Sequence, residues 1–166
     1  MVRALLNGSK TQTRRVIKPQ PIDARKPETA CPHGTRGELL WVRERWAYQR
    51  QFIDPRAIPG GPIIYSADCP GLRGPWRSSR CMPRAVSRIT LAIIAATPQR
   101  LREITPSDCL AEGCVPTSAD PKKSFRSLWQ SLYAQTPFAW RANPWVWIIV
   151  FRIQSVTGSI PAASAF

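Results

Sequence analysis

The spacing of apolar positions changes period several times along the chain, and each change marks an element. Val2, Leu5 and Leu6 share one face at helical spacing, and Asn7–Gly8 is a stop signal, so a short helix is expected over residues 1–6. Residues 38–46 read Glu-Leu-Leu-Trp-Val-Arg-Glu-Arg-Trp and alternate as a strand. Residues 62–66 form a second, shorter strand, and residues 88–96, with Ile89, Leu91, Ile93 and Ile94, a core strand. Thr105 suits an N-cap, Pro106 the first helical position, and Asp108 completes a capping box; this helix runs to Glu112 and stops at Gly113. Phe125, Leu128, Trp129, Leu132 and Tyr133 repeat at three and four, which predicts an amphipathic helix over 124–135. Residues 145–153 are apolar on both faces, as a central strand requires.

The intervals read as loops. Residues 16–32 form a polar, proline-containing connector, 48–61 and 69–83 are glycine- and proline-rich, 115–123 is a polar insert and 137–144 a loop. Seventeen prolines disfavour long helices. The tail is small, polar and aperiodic, and is expected to fray. Four or five strands with two or three short helices describe one α+β domain or a small barrel, and this list alone does not choose between them.

Charge narrows the partner class. The chain carries 24 Lys and Arg against 10 Asp and Glu, a formal net charge of +14. Nucleic acid, a nucleotide or another polyanion is the first partner to consider, although basic surface also serves solubility. Five cysteines cannot all pair within one chain, which suits reduced thiols in a cytoplasm. The longest apolar run, Trp145 to Phe151, is too short to span a bilayer, so no membrane partner is expected.

Two stretches carry candidate chemistry. Gly8-Ser-Lys-Thr-Gln-Thr-Arg-Arg15 reads as a turn leaving the first helix, presenting hydroxyls and positive charge with no acid nearby. It suits a phosphate, a carboxylate or the polar edge of a nucleobase; a solvated basic turn is the plainer reading. Arg73, Arg77, Arg80, Arg84 and Arg88 follow one another with no acid between Asp68 and Glu103. Trp76 among them would let a base stack beside guanidiniums that pair phosphates; the plainer reading is a flexible loop with Trp76 tucked onto the core. Arg43 lies on the 38–46 strand, where a glutamate among arginines and tryptophans suits a pocket wall. The tryptophans at 41, 46, 129, 145 and 147 read as core. Cys31, His33, Cys69 and Cys81 make a weak zinc candidate without a Cys-x-x-Cys pair, and neither a metal nor a cofactor is expected. One histidine leaves a Ser-His-Asp triad without support, and Gly8–Thr11 has only the end of a phosphate-binding loop.

Several motifs together resemble the ASCH (activating signal cointegrator homology) domain family, whose fold is similar to that of PUA domains. They are Gly8–Arg15, the strand Gly37-Glu-Leu-Leu-Trp-Val-Arg-Glu-Arg-Trp46, Met82-Pro-Arg-Ala-Val-Ser-Arg-Ile-Thr90, the helix Ile104–Gly113, and Phe125-Arg-Ser-Leu-Trp129 with Asn143-Pro-Trp-Val-Trp147. The likeness covers residues 1–153 and is nearest to a prophage-borne branch. It implies a small PUA-like β-barrel with short helices at its side, an amino-terminal strand missing before the first helix, and a disordered tail over 154–166. It also implies binding of RNA or a modified nucleoside, with Arg14, Arg15, Arg43, Trp76, Arg77, Arg80 and Arg84 as contacts. The alternative is an amidohydrolase similar to the family member that deacylates N(4)-acetylcytidine. There Lys10 would match the catalytic lysine, Thr13 the threonine and Glu112 the glutamate. A lysine of lowered pKa would take the threonine's proton, and the glutamate would position water or protonate the leaving amine. A non-catalytic phage-related interaction protein is a third reading.

Overall fold

The computed structural model describes residues 1–21, 30–114 and 120–158. In chain order its elements are α1 (Val2–Leu6), β1 (Gln12–Val16), β2 (Leu39–Trp41), β3 (Trp46–Tyr48), α2 (Arg50–Ile53), β4 (Ile63–Tyr65), β5 (Ile89–Arg100), α3 (Pro106–Ala111), α4 (Pro121–Tyr133) and β6 (Trp145–Val156), with short 3-10 turns between some of them. The strands make an open four-stranded sheet in the order β1-β6-β5-β2 and a separate β3-β4 pair. β1 runs antiparallel to β6, with Gln12 opposite Val150 and Arg14 opposite Ile148. Bonds from Leu101 N to Pro144 O and from Thr157 N to Arg88 O flank an antiparallel β5-β6 ladder. The fold is therefore mixed α+β, as the residue pattern suggested, but the open sheet order is not the closed barrel that the family likeness implied.

The chain divides into two compact units. The first holds residues 3–38 and 92–152. Its core joins Leu101, Ile104, Cys109, Phe125, Trp129, Trp140 and Val146. The helix signals read from the sequence operate as expected. Thr105 accepts from Asp108 N while the Asp108 side chain accepts from Thr105 N, and Asp120 caps α4 with Pro121 behind it. α4 begins three residues before the expected start, because that cap falls at the end of the polar insert. Residues 115–119 of the insert and 22–29 of the first connector lie outside the described residues.

The second unit holds residues 39–91 and the chain beyond residue 152. Its core centres on Trp46, Tyr65 and Met82. Here the expected strand over 38–46 is broken into β2 and β3, with residues 42–45 in neither. The cause lies at Glu44. Its N–H donates to Met82 Sδ at 3.3 Å instead of to a neighbouring strand, and its carboxylate accepts from the buried Arg88. The expected loop over 48–61 contains α2. β6 reaches Val156, so the first residues assigned to the tail are strand; residues 159–166 lie outside the described residues.

Candidate functional site

The expected basic turn at Gly8–Arg15 is a strand from Gln12 onward, with Lys10 in an isolated bridge just before it, and this decides where each side chain goes. A strand sends alternate residues to opposite faces. Lys10, Gln12 and Arg14 are buried; Thr11 and Arg15 are exposed and Thr13 is half-buried. Lys10 and Thr13, three apart, therefore belong to opposite faces rather than to one turn.

The buried row meets the end of α3. Lys10 and Glu112 form an isolated antiparallel bridge through their backbones. Lys10 Nζ donates to Gln12 O at 2.8 Å, to Glu112 O at 2.7 Å and to Glu112 Oε2 at 3.0 Å, which uses all three ammonium protons. Arg14 donates to Glu112 Oε1 at 3.2 Å and to Gln99 Oε1 at 3.3 Å, and pairs with Asp108 Oδ2 at 3.2 Å. Its shielded Nε has no acceptor among the described residues, and its guanidinium lies 5.9 Å from the centre of the Phe125 ring. Gln12 Nε2 donates to the Asp108 carbonyl and carboxylate. Burial pulls the Asp108 carboxyl upward, but bonds from Thr105 and Gln12 and the charge of Arg14 outweigh it and hold the pKa below its usual value. Two cations and two carboxylates thus compensate one another under cover, as buried charges must.

A cavity of about 470 Å³ opens beside this network. Lys10, Thr13, Arg14, Arg15, Glu112 and Gly113 make its polar side, while Phe125, Leu128, Trp129, Leu132 and Tyr133 of α4, with Met1, make its apolar side. Trp129 and Tyr133 stack with ring centres 4.5 Å apart. Leu128, Leu132 and Met1 are exposed. Arg15 donates to Thr13 Oγ1 at 2.8 Å and to Arg14 O at 3.0 Å.

Of the residues expected to act together, Lys10 and Glu112 meet, and Thr13 lines the same cavity with its hydroxyl engaged by Arg15. Arg14 is not presented outward: it is only 3% exposed and lies inside the ion network. Gln12, Gln99 and Asp108 belong to the network; from sequence, Asp108 had only a capping role and the other two had no role in the site. The alternation of Lys10, Gln12 and Arg14 was the available signal for the first of these; nothing local marks Gln99.

The remaining candidates lie in the second unit. Trp76 is half-buried, donates its indole N–H to Leu72 O at 3.0 Å and packs edge-on against Phe52. Arg77 is half-buried, lies over the rings of Trp46 and Tyr48 and donates to Gln51 Oε1. Arg43, Arg80 and Arg84 are exposed. Arg88 is 2% exposed, clamped by Glu44 and Asp68, with its guanidinium 4.0 Å from the centre of the Tyr65 ring. Burial lowers its pKa, and the bonds to the two carboxylates more than reverse this, so it stays charged.

Among the described residues, no cluster of three or more His, Cys, Asp or Glu is placed to hold a metal, and the five cysteines are free. No described helix is long and apolar enough to cross a membrane. Comparison with protein-family models, with curated proteins and with solved structures finds no match to the chain.

Proposed function

We propose that the chain is an ASCH-type binding module for a nucleotide or a short stretch of RNA, and that the cavity beside Lys10 and Glu112 receives the base. The carrying observation is the division of that cavity into an apolar aromatic side from α4 and a polar side from β1 and Glu112. A nucleobase has this division in itself: two apolar faces, and an edge of donors and acceptors. The volume of about 470 Å³ suits a ligand of nucleoside size. Inside, the charges already balance, so a bare anion gains little there. Arg15, exposed on the polar side, is the group to meet a phosphate.

Binding is preferred to deacylation on the state of Lys10. A general base must be neutral and within reach of the proton it takes. Lys10 Nζ instead donates to three acceptors, and the Thr13 hydroxyl, which lines the same cavity, is engaged by Arg15 rather than by Lys10. The hydrolytic reading requires that whole network to open.

The test is calorimetric titration of the chain with nucleosides, nucleoside monophosphates and N(4)-acetylcytidine, together with an assay for released acetate. The expected result is saturable binding of at least one base-bearing ligand, its loss in Leu132→Arg, and no acetate. Binding of none of these ligands at low salt by the folded chain rejects the reading. Acetate release that vanishes in Lys10→Ala replaces it with the hydrolase.

A further inference from the structure

The second unit carries an unusual charge arrangement. Residues 39–91 hold nine arginines, no lysine and three acids, Glu44, Asp54 and Asp68. Two of those acids are engaged by the buried Arg88 and do little to offset the arginines outside. That leaves eight arginines and Asp54 outside the Arg88 cluster.

Within that surface one aromatic ring is bracketed by cations. Trp41 is half-buried. The Arg43 guanidinium lies 4.6 Å from its ring centre and the Arg84 guanidinium 5.9 Å. Among the described residues no carboxylate pairs with either arginine. Two like charges beside one indole repel each other, and an arriving anion relieves that repulsion.

The bracket is held by a fixed frame. Ser87 Oγ donates to Val42 O at 2.8 Å, Val42 N donates to Ile89 O at 2.9 Å, and Glu44 N donates to Met82 Sδ. Arg88 Nε to Glu44 Oε1, at 2.8 Å, adds a fourth tie. These bonds clip residues 82–89 to residues 42–44. Arg84 is thereby kept beside Trp41. Residue alternation does the same for Arg43: Val42 and Glu44 turn inward, Trp41 and Arg43 outward.

We propose that Trp41, Arg43 and Arg84 form a contact site for single-stranded nucleic acid. One base stacks on the indole or on the Arg43 guanidinium plane, and the two arginines pair the flanking phosphates. Stacking tolerates any base, because each has an apolar face, and guanidiniums serve both as phosphate donors and as stacking planes. A duplex hides its base faces and offers only phosphates. Trp76, the ring that the arginine-rich segment brings forward in the sequence, is less suited: its N–H is bonded and its ring packs on Phe52. The site shares no residue with the cavity of the first unit and stands or falls independently of it.

The experiment is fluorescence anisotropy with the full chain and a labelled mixed-sequence 12-mer RNA, against the same sequence as a duplex. Trp41→Ala is expected to weaken single-strand binding roughly 5- to 150-fold, the range for losing one stacked base, while Trp41→Phe keeps most of the affinity. Arg43→Gln and Arg84→Gln are each expected to lower the slope of log affinity on log salt by about 0.7. A saturating nucleoside monophosphate should not compete, which separates this site from the cavity. Unchanged single-strand affinity in folded Trp41→Ala overturns the proposal. So does equal binding of duplex or of inorganic polyphosphate, because charge alone would then explain it. Trp41-dependent capture of a poly-glutamate peptide in place of RNA assigns the surface to an acidic protein and also overturns it. Where Trp41→Ala fails to fold by circular dichroism, Arg43→Gln decides: a wild-type affinity and salt slope there refute the site.

Discussion

Lys10 and Glu112, 102 positions apart in sequence, are joined through both backbone and side chain: a bridge, a bond from Nζ to the Glu112 carbonyl, and an ion pair at 3.0 Å. The relationship makes β1 and the end of α3 one structural piece. It also makes the pair costly to break. Removing Lys10 leaves Glu112 with Arg14 alone, and removing the Glu112 charge leaves Lys10 with two carbonyls and Arg14 with Asp108; disrupting such a buried network costs up to about 3–5 kcal/mol. We expect Lys10→Met and Glu112→Gln each to destabilise the chain by about that much in urea unfolding. The double variant should lose clearly less than the sum of the two. Additive losses would mean that the two side chains do not depend on each other.

The single histidine gives a site-specific probe of Arg15. Desolvation, and after it the positive charge of Arg15, hold the His33 pKa below its ordinary value of 6.5. A folded pKa below the unfolded one means that the native state binds the proton less readily. His33 therefore subtracts stability as pH falls through 6.5. Proton NMR should follow one histidine titrating below 6.5, and Arg15→Gln should move that midpoint upward. An unmoved midpoint would place Arg15 away from the ring.

Asp108 gives an acid limb of its own. Its pKa is lowered from 3.8, so its contribution is complete above the unfolded value and disappears as pH falls through the lower folded one. Thermal midpoints recorded from pH 5 downward should fall less steeply in Asp108→Ala than in the parent chain. The variant should already be less stable at pH 7, because it also loses the capping box and the contacts to Gln12 and Arg14. Parallel slopes in the two proteins would assign the acid limb to other carboxylates.

What was legible in the sequence was whatever is determined locally. The Thr105-Pro106-x-Asp108 start of α3, the period of α4 and the two-sided apolar run of β6 each encode their element within a few residues. Long-range pairing was not legible. Gly8–Arg15 reads as a turn because its polar composition hides a strand whose inward row is Lys10, Gln12 and Arg14; only the carboxylates of Asp108 and Glu112, far along the chain, make that row tolerable in the interior. Glu44 is a similar case. Its alternation continues a strand, but Arg88 and Met82 draw it out of the ladder. No local spacing joins Lys10 to Glu112; only the motif resemblance places them in one candidate site.

Arg88 is the corresponding keystone of the second unit. Its planar fork reaches Glu44 through Nε and one terminal nitrogen and reaches Asp68 through both terminal nitrogens. A lysine keeps the charge but cannot match that geometry. We expect Arg88→Lys to lower the stability of this unit by about 2–4 kcal/mol, within the range for disrupting a buried charge network. Hydrogen exchange should report the loss at β3 and β4. Exchange rates there equal to wild type would show that charge alone, without the fork, suffices.

Gly113 ties backbone shape to the candidate site. It follows Glu112 with φ of +76°, in the left-handed region that favours glycine. A Cβ there would come within 2.9 Å of Ala4 Cβ and 3.0 Å of Lys10 Cβ. The strain and the crowding act on the segment that carries Lys10 and Glu112 together. Gly113→Ala should therefore cost about 1–3 kcal/mol of stability, and it should weaken ligand binding in the cavity beyond what the lost stability explains, because Lys10 and Glu112 line that cavity beside it. Gly8 has a similar φ of +77° but open space around its Cβ position, so Gly8→Ala serves as the control for backbone strain alone. Equal binding defects in the two variants, measured by calorimetry well below their unfolding temperatures, would remove the steric link between Gly113 and Lys10.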